Sequence, residues 1–465
     1  MKSLKFAVLA LVIAAASPAV AAPEPDLARA QALLAAGKYV PAAEIYEAAL
    51  ARDPTNLAAL LGGAQLNLEL ESFDEALLYA EAAVRISPQS ADALVARGSA
   101  FAGLQQNDKA RADFDKVLAQ GPHAKALEGR AWLWADAGDH ERALADFRAA
   151  YRADPTRLDA LVGAGHQLLD LGRDDEAMAV VDEALKVAPD DYAALVTKAA
   201  LLTRRGDFAA AATIYQDAAR RYPTIADLQV WLGRMLNADG KTDKALAAFQ
   251  KAVRLDPKSR DGWWSLADLL SEQGASKRSL DAYDRAVQVD PVNAELLTDR
   301  GMMRSYAGDS LGARADLDAA VRADPKSAYA LTGRGRLELD AERYEAAIKD
   351  LDAAVKADPN YAPAFANRSI AYRELGRYDR ALKDINQASA LLPDRALYLA
   401  VKGEIYRRMS DHLQAVEAFD ASLKGDPGDA SVWWARGLSK AELGDLKGAE
   451  ADKAQALKLD PKVSG

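Results

Sequence analysis

Small and large apolar residues recur along this chain at fixed distances from a series of prolines. Successive prolines of this series lie 34 residues apart, except for one interval of 33. The thirteen prolines are Pro54, Pro88, Pro122, Pro155, Pro189, Pro223, Pro257, Pro291, Pro325, Pro359, Pro393, Pro427 and Pro461. A fixed period of this length predicts stacked supersecondary units, each of which buries its apolar face against a neighbour.

The apolar pattern within a unit predicts two helices that approach each other closely. Counting backward from each proline as position 32, position 20 is Ala in every unit except one, which has Ser279, and position 27 is Ala except for Val117 and Ser422. Small residues seven apart lie on one stripe of a helix. Position 24 lies on the same helix and is usually aromatic or branched, as in Phe114 and Phe419. We expect this side chain to fill the space between the helices.

Glycine and proline mark where the two helices of each unit end. Position 15 is Gly in nine units, and a residue in the left-handed conformation there ends the first helix. The nine are Gly37, Gly138, Gly172, Gly206, Gly240, Gly274, Gly308, Gly376 and Gly444. Proline at position 32 cannot continue the second helix. Each unit is therefore predicted to be a helix, a tight turn and a second helix.

Large apolar residues at position 4 and small ones at position 8 precede the alanine, aromatic, alanine and proline positions, as Leu94 and Gly98 show. Together these positions resemble the tetratricopeptide repeat, and the resemblance covers residues 22–465. It implies an all-α fold, an α-solenoid of about thirteen 34-residue helix-turn-helix repeats forming a superhelix. It also implies that first helices line a concave groove and second helices form the outer wall.

Residues 1–21 have a different pattern, that of a secretory signal peptide. Lys2 and Lys5 precede an apolar run from Phe6 to Ala16, and Ala19-Val20-Ala21 forms an A-x-A cleavage site. We expect cleavage after Ala21, because a cut one residue later would place Pro23 next to the scissile bond. The run is shorter than the roughly 20 residues that a membrane-spanning helix needs, so we expect no transmembrane segment in the mature chain and a periplasmic or secreted location.

Composition limits the chemistry of the chain. It has no Cys and a net charge of −10, which excludes disulfides and cysteine metal sites and disfavours nucleic acid as a partner. Its four His residues form no metal-ligand pattern. Gly163-Ala164-Gly165 lies within a predicted helix and not after a strand, so it is interpreted as a packing motif. We expect neither an enzyme, nor a cofactor, nor a metal.

A correlation between two repeat positions predicts a contact within each unit. Position 7 is Arg in six repeats that also have Asp at position 23, and no other repeat has Asp there. The six pairs are Arg97 with Asp113, Arg130 with Asp146, Arg300 with Asp316, Arg334 with Asp350, Arg368 with Asp384 and Arg436 with Asp452. We expect an ion pair that joins the first helix to the second. A ladder of arginines that binds a ligand is the alternative.

The groove implied by the resemblance supplies the candidate binding residues. Positions 2, 5, 9, 12 and 13 would face it, and tryptophans and acidic residues at or beside them are the candidates. The tryptophans are Trp132, Trp264 and Trp434, with Trp231 at the neighbouring position 6, and the acids are Asp136, Asp170, Asp268 and Glu272. By contrast, Trp134, Trp263 and Trp433 fall at core positions. An exposed Trp is a good binding anchor. The alternatives are rings folded over the adjacent repeat and acids that form a solvated helix face.

Two functions fit these observations. The first is a non-enzymatic scaffold or adaptor of the bacterial cell envelope, which binds a protein or a basic, extended peptide segment in its groove. The second is a polysaccharide export or assembly factor, in which groove aromatics stack on sugars. A discrete protein partner would favour the first, and retention on a polymer would favour the second.

Overall fold

The apolar periodicity and the glycine and proline stops produce the helices that the sequence predicts. The computed structural model describes residues 26–463, and every regular element in that range is an α-helix. There are twenty-six helices in this part of the chain, two for each of the thirteen repeats. The all-α, repeat-based fold is confirmed. The signal peptide predicted at residues 1–21 lies outside the described residues.

The first helix of each repeat is odd-numbered. These are α1 (Leu27–Ala35), α3 (Leu57–Glu69), α5 (Ala91–Gly103), α7 (Ala124–Asp136), α9 (Leu158–Asp170), α11 (Tyr192–Arg204), α13 (Ala226–Ala238), α15 (Arg260–Glu272), α17 (Ala294–Tyr306), α19 (Ala328–Asp340), α21 (Ala362–Glu374), α23 (Ala396–Arg408) and α25 (Ala430–Glu442).

The second helix of each repeat is even-numbered. These are α2 (Tyr39–Arg52), α4 (Phe73–Ile86), α6 (Asn107–Leu118), α8 (His140–Ala153), α10 (Asp174–Val187), α12 (Phe208–Arg221), α14 (Thr242–Leu255), α16 (Ser276–Val289), α18 (Ser310–Ala323), α20 (Tyr344–Ala357), α22 (Tyr378–Leu391), α24 (His412–Gly425) and α26 (Leu446–Leu459). Of these, only α6 ends more than two residues before its proline.

The chain divides into two units, the first ending at Arg205 and the second beginning at Gly206. The first unit contains α1 to α11, and the second contains α12 to α26. Within each unit, each even-numbered helix packs on the odd-numbered helix that follows it. Each repeat therefore covers the apolar face of the next. No helix in residues 26–463 is both long and apolar enough to cross a membrane.

The core of both units is built from the small residues of the repeat. All thirteen residues at position 20 are buried, including Ser279, whose hydroxyl donates to the Ala267 carbonyl at 2.8 Å. The residue at position 8, on the first helix of a repeat, contacts the residue at position 24, on the second helix of the same repeat. A methyl group placed on Gly403 would lie 2.6 Å from the ring of Phe419. The small residues therefore set how closely two helices can approach.

Turns between the two helices of a hairpin use the left-handed conformation at position 15. The nine glycines there have φ between +67° and +84°, as the sequence predicts. The other four repeats have Glu71, Gln105, Glu342 and Ser410 at the same position, with φ between +55° and +61°. The turn geometry is thus set by the length and packing of the hairpin, and glycine only lowers its cost.

All six predicted ion pairs between positions 7 and 23 form. In each pair the guanidinium donates two hydrogen bonds to the two carboxylate oxygens, with distances between 2.6 and 2.9 Å. The six aspartates are buried. The pairs therefore join the first helix to the second inside the hairpin, and the alternative of an arginine ladder that binds a ligand is not needed to explain the correlation.

Candidate partner-binding groove

Contacts between helices indicate which side of each unit is concave. In the first unit α1, α3, α5 and α7 contact each other in succession, as do α9 and α11. In the second unit α13 contacts α15, and α17, α19, α21, α23 and α25 contact each other in succession. Within either unit, no two successive second helices come as close. Because first helices approach one another more closely, each unit curves toward them, and they line its inner side.

The inner side of the second unit carries a cluster of carboxylates and aromatic rings, here called the acidic aromatic patch. It consists of Trp264 and Asp268 from α15, Tyr283 from α16, Asp299 from α17 and Tyr329 from α19. Residues four apart lie one turn apart on the same face of a helix, which places Trp264 above Asp268 on α15. The patch spans three successive hairpins.

Asp299 is the centre of the patch. Its carboxylate accepts a hydrogen bond from Trp264 Nε1 at 2.9 Å and a second one from the Tyr329 hydroxyl. Burial raises the pKa of Asp299, and the nearby charge of Glu295 adds to the rise, while the two hydrogen bonds oppose it. The ring of Trp264 is half-buried and reaches the next repeat. This matches the alternative in which the ring folds over its neighbour.

Asp268 lies beside this centre and accepts a hydrogen bond from the Tyr283 hydroxyl at 2.6 Å. The residue is exposed to solvent on its outer side, but neighbouring protein partly desolvates the carboxyl, which raises the pKa of Asp268 to about 6. The charges of Asp299 and Glu272 raise it further, and the hydrogen bond from Tyr283 lowers it. Burial also raises the pKa of Tyr283, so this hydroxyl stays a donor.

The carboxylates of this region lack cationic partners. Among the described residues, no Lys or Arg forms an ion pair with Asp268, Glu272, Glu295 or Asp299. The charge of Arg234 lowers the pKa of Asp268, but its guanidinium donates to Ser265 Oγ at 3.0 Å and forms no ion pair with these carboxylates. Several acidic residues on first helices of later repeats do have ion pairs, as Glu404 has with Arg407 at 2.7 Å. On α15 and α17, by contrast, these four carboxylates have none within the described part of the chain.

Glu272 borders this patch, one turn beyond Asp268 at the end of α15, and accepts from Asn237 Nδ2 at 3.3 Å. The remaining predicted groove residues lie outside the patch. Trp231 is half-buried and its ring lies 5.6 Å from that of Tyr215. Trp434 is half-buried beneath Lys453 Nζ, 5.5 Å from its ring centre.

In the first unit, three predicted residues lie on the inner helices. Trp132 is 43% exposed and meets the ring of Phe147 edge-on at 4.9 Å. Asp136 lies one turn further along α7 and is exposed, and Asp170 is exposed at 3.6 Å from His140 Nδ1. These side chains are available to solvent but form no cluster like that of the second unit.

Trp263, Trp433 and Trp134, which fall at core positions of the repeat, pack against the edge of the core and are not enclosed by it. All three are only half-buried. Trp263 and Trp433 donate through Nε1 to the carbonyls of Pro257 and Pro427, at 3.0 and 2.9 Å. An indole at position 4 is too large and too polar to be enclosed between helices held apart by alanine. It lies instead across the hairpin junction.

Sequence reasoning missed Tyr283, Asp299 and Tyr329. Position 2, which Tyr329 occupies, was among the groove positions, so its aromatic ring was a usable signal. Asp299 is at position 6, and Tyr283 is at position 24, where an aromatic is predicted to fill the core. Nothing in a single repeat shows that these three side chains meet, because each comes from a different hairpin.

Comparisons with known proteins agree with this architecture. One family model described as a tetratricopeptide repeat matches residues 27–91, 95–157, 196–260, 232–294, 298–362 and 400–464. A second model with the same description matches residues 135–199 and 338–405. No curated protein sequence matches the chain.

Two solved structures are similar in fold. The crystal structure of the APC/C hetero-tetramer Cut9-Hcn1 is 16% identical, with a TM-score of 0.49 over 88% of this chain and 95% of that one. A tetratricopeptide repeat protein from Parabacteroides merdae ATCC 43184 is 21% identical, with a TM-score of 0.47 over 53% of this chain and 98% of that one.

Proposed function

Because this chain belongs to the tetratricopeptide repeat family, whose members generally act as scaffolds for protein interactions, we propose that it binds a basic, extended peptide segment of a partner protein. The acidic aromatic patch carries this proposal. It offers partly desolvated carboxylates without cationic partners, next to aromatic rings on the inner side of the second unit. A Lys or Arg side chain would supply the missing positive charge and pack its methylene groups on Trp264.

The role proposed is that of a non-enzymatic scaffold or adaptor of the bacterial cell envelope. Lys2, Lys5, the short apolar run and the Ala19-Val20-Ala21 site favour export, which would place the mature chain in the periplasm or outside the cell. Peptide binding in a groove needs no cofactor. The negative charge of the chain favours a basic partner over nucleic acid.

A fluorescent peptide of alternating Lys and Ser residues tests the binding site. We expect saturable binding in fluorescence anisotropy, and no binding of the same peptide with Glu in place of Lys. Asp299→Asn and Trp264→Ala should each weaken binding by about tenfold or more, as hot-spot residues do. Asp281→Asn is the control, because Asp281 is exposed on α16, a second helix. Equal binding of the Lys and Glu peptides would contradict the proposal.

The alternative function is a polysaccharide export or assembly factor that binds a carbohydrate polymer. The half-buried indole of Trp264 beside the carboxylate of Asp299 favours it, since such a pair offers a stacking surface and hydrogen-bond acceptors. Titration with neutral oligosaccharides separates the two functions. Binding of an oligosaccharide that is lost in Trp264→Ala, with no binding of the Lys peptide, would favour the polymer.

A further inference from the structure

A cleft in the second unit, which shares no residue with the acidic aromatic patch, has a polar floor and a basic rim. It lies between α12, α13 and α14 and has a volume of about 360 Å³. Its lining includes Ala212, Gln229, Leu232, Lys244 and Lys251, and it includes no carboxylate. A volume of this size suits one small molecule.

The cleft exists because two repeat positions differ from the rest of the chain. Position 4 is Leu, Phe or Trp in every repeat from the second to the thirteenth except the seventh, which has Gln229. Position 21 of the preceding repeat is Ala212, and Ala43 is the only other alanine at that position, where most repeats have Leu, Ile, Met, Val, Arg or Glu. A larger side chain at position 21 would occupy the space that Ala212 leaves open.

Gln229 has no protein partner for its amide. The residue is 4% exposed and its side chain lines the cleft. Among the described residues, none forms a hydrogen bond with the Gln229 side chain. Its amide faces the open cleft and is not sealed from solvent. A ligand in the cleft can therefore serve as its hydrogen-bond partner.

The rim of the cleft is positively charged within an acidic protein. Lys244 and Lys251 lie seven residues apart on α14, which places them on one face of the helix, about 10 Å apart along its axis. Neither forms an ion pair with any residue between 26 and 463. Lys241 also lines the cleft, but Asp239 neutralises it at 2.6 Å. Two lysines are thus left to bind a negative charge.

We propose that this cleft binds a small organic anion. Its carboxylate or phosphate would lie between Lys244 and Lys251, its apolar body against Leu232 and the alanines, and a polar group of its body would pair with Gln229. The site shares no residue with the acidic aromatic patch, so it is a second site and does not depend on the proposed partner.

Calorimetric titration of the full mature chain tests this site with three probes. These are benzoate, phenyl phosphate and benzamide, the last being neutral and similar in shape to benzoate. We expect saturable binding of benzoate or phenyl phosphate with one site per chain, and weaker binding of benzamide by about tenfold or more. The stronger of the two anions identifies the charged group. Failure of both anions to bind, or equal binding of benzamide, would overturn the proposal.

Variants then locate the site. Ala212→Leu restores the side chain that other repeats have at position 21, so it should fill the cleft, keep the helical circular dichroism and abolish binding. Gln229→Leu restores the usual residue at position 4. It should also abolish binding, and it replaces Ala212→Leu in this test if that variant does not fold. Lys244→Met should weaken binding, whereas Lys258→Met, in an exposed turn, should not. Unchanged affinity in Lys244→Met and in either leucine variant would place the anion elsewhere.

Discussion

Arg334 binds Asp350 through two parallel hydrogen bonds, from Nε to Oδ2 and from Nη2 to Oδ1, each 2.7 Å long. The third nitrogen of the guanidinium, Nη1, donates to Asp318 Oδ1 at 3.1 Å. Asp350 lies on α20 and Asp318 on α18, so one arginine on α19 joins three helices of two successive hairpins. Because Asp350 is 9% exposed, its charge depends on this arginine for compensation.

Arg334→Ala should therefore destabilise the second unit by about 2 to 4 kcal/mol, since it leaves a buried carboxylate without its partner. Once Arg334 is absent, Asp350→Ala should add little. A double-mutant cycle in denaturant unfolding measures this coupling, which we expect to be about 1 to 3 kcal/mol. Fully additive losses would show that the two side chains do not interact in solution.

Arg336 provides the matched control on the same helix. It pairs with Asp340 at 3.0 Å, but both side chains are about half exposed. Exposed pairs of this kind contribute about 0 to 1 kcal/mol. Arg336→Ala should thus change stability much less than Arg334→Ala, and a similar loss in both would mean that burial of Asp350 is not the reason.

The sequence predicted the Arg and Asp contact because it is repeated in register six times, and repetition within one chain reveals which positions meet. It did not predict that Asp318 would join Arg334. Asp316 binds Arg300, whereas Asp318 binds Arg334. The sequence did not reveal the contact between Arg334 and Asp318, because it joins two successive repeats, whereas the Arg and Asp correlation compares positions within one repeat.

Asp268 should make stability depend on pH. Its pKa is about 6 in the folded protein, against an ordinary value of 3.8. The folded state therefore holds its proton to a higher pH than the unfolded state does, and stability falls as pH rises from about 4 to about 6. Asp268→Asn should raise the melting temperature relative to the parent at pH 7, and this gain should vanish near pH 4. Asp281→Asn should show no such trend, and a gain independent of pH would contradict the desolvation of Asp268.

The same group should make peptide binding depend on pH. Above about pH 6 Asp268 is ionised and attracts a Lys side chain, whereas below that pH it becomes protonated and the attraction is lost. The affinity for the Lys peptide should thus fall between pH 7 and pH 5, and Asp268→Asn should bind weakly with a flatter profile. A profile unchanged by this substitution would exclude Asp268 from the binding site.

The patch was only partly predictable from the sequence. Trp264 and Asp268 followed from their repeat positions, which the resemblance to the tetratricopeptide repeat assigns to the groove. Asp299 and Tyr329 reach the same place from two other hairpins, and only the stacking of α15, α17 and α19 brings them together. Four non-glycine residues with positive φ, including Glu71, were missed for a similar reason, because packing outweighs the preference of a single residue.

Export of the chain is tested by the mass of the protein from its native host. The A-x-A site predicts that the mature chain begins at Ala22. Intact mass spectrometry and N-terminal peptide mapping of the envelope fraction should find this terminus. Ala19→Asp and Ala21→Asp together should block cleavage, so that the protein keeps its signal peptide. A cytoplasmic protein that keeps Met1 to Ala21 would contradict both the location and the envelope function.

Substitutions of Trp263 and Trp264 distinguish an effect on stability from an effect on peptide binding. The two residues are adjacent and similarly buried, but they lie on different faces of α15. Adjacent helical residues point about 100° apart. Trp263 donates to the Pro257 carbonyl in its own hairpin junction, whereas Trp264 donates to Asp299 on the inner side. Because both rings are half-buried, each substitution by Ala should destabilise the second unit by about 1 to 3 kcal/mol, less than for an enclosed ring.

Only Trp264→Ala should also weaken binding of the Lys peptide, measured well below the melting temperature of both variants. Trp264→Phe refines this test, since it keeps an aromatic surface but removes the Nε1 donor, which leaves the Asp299 carboxylate without that hydrogen bond. If the ring is the anchor, Trp264→Phe should retain most of the affinity that Trp264→Ala loses. If Trp263→Ala weakened binding as much as Trp264→Ala, the peptide would not be recognised by the inner face of α15, and the acidic aromatic patch would be structural.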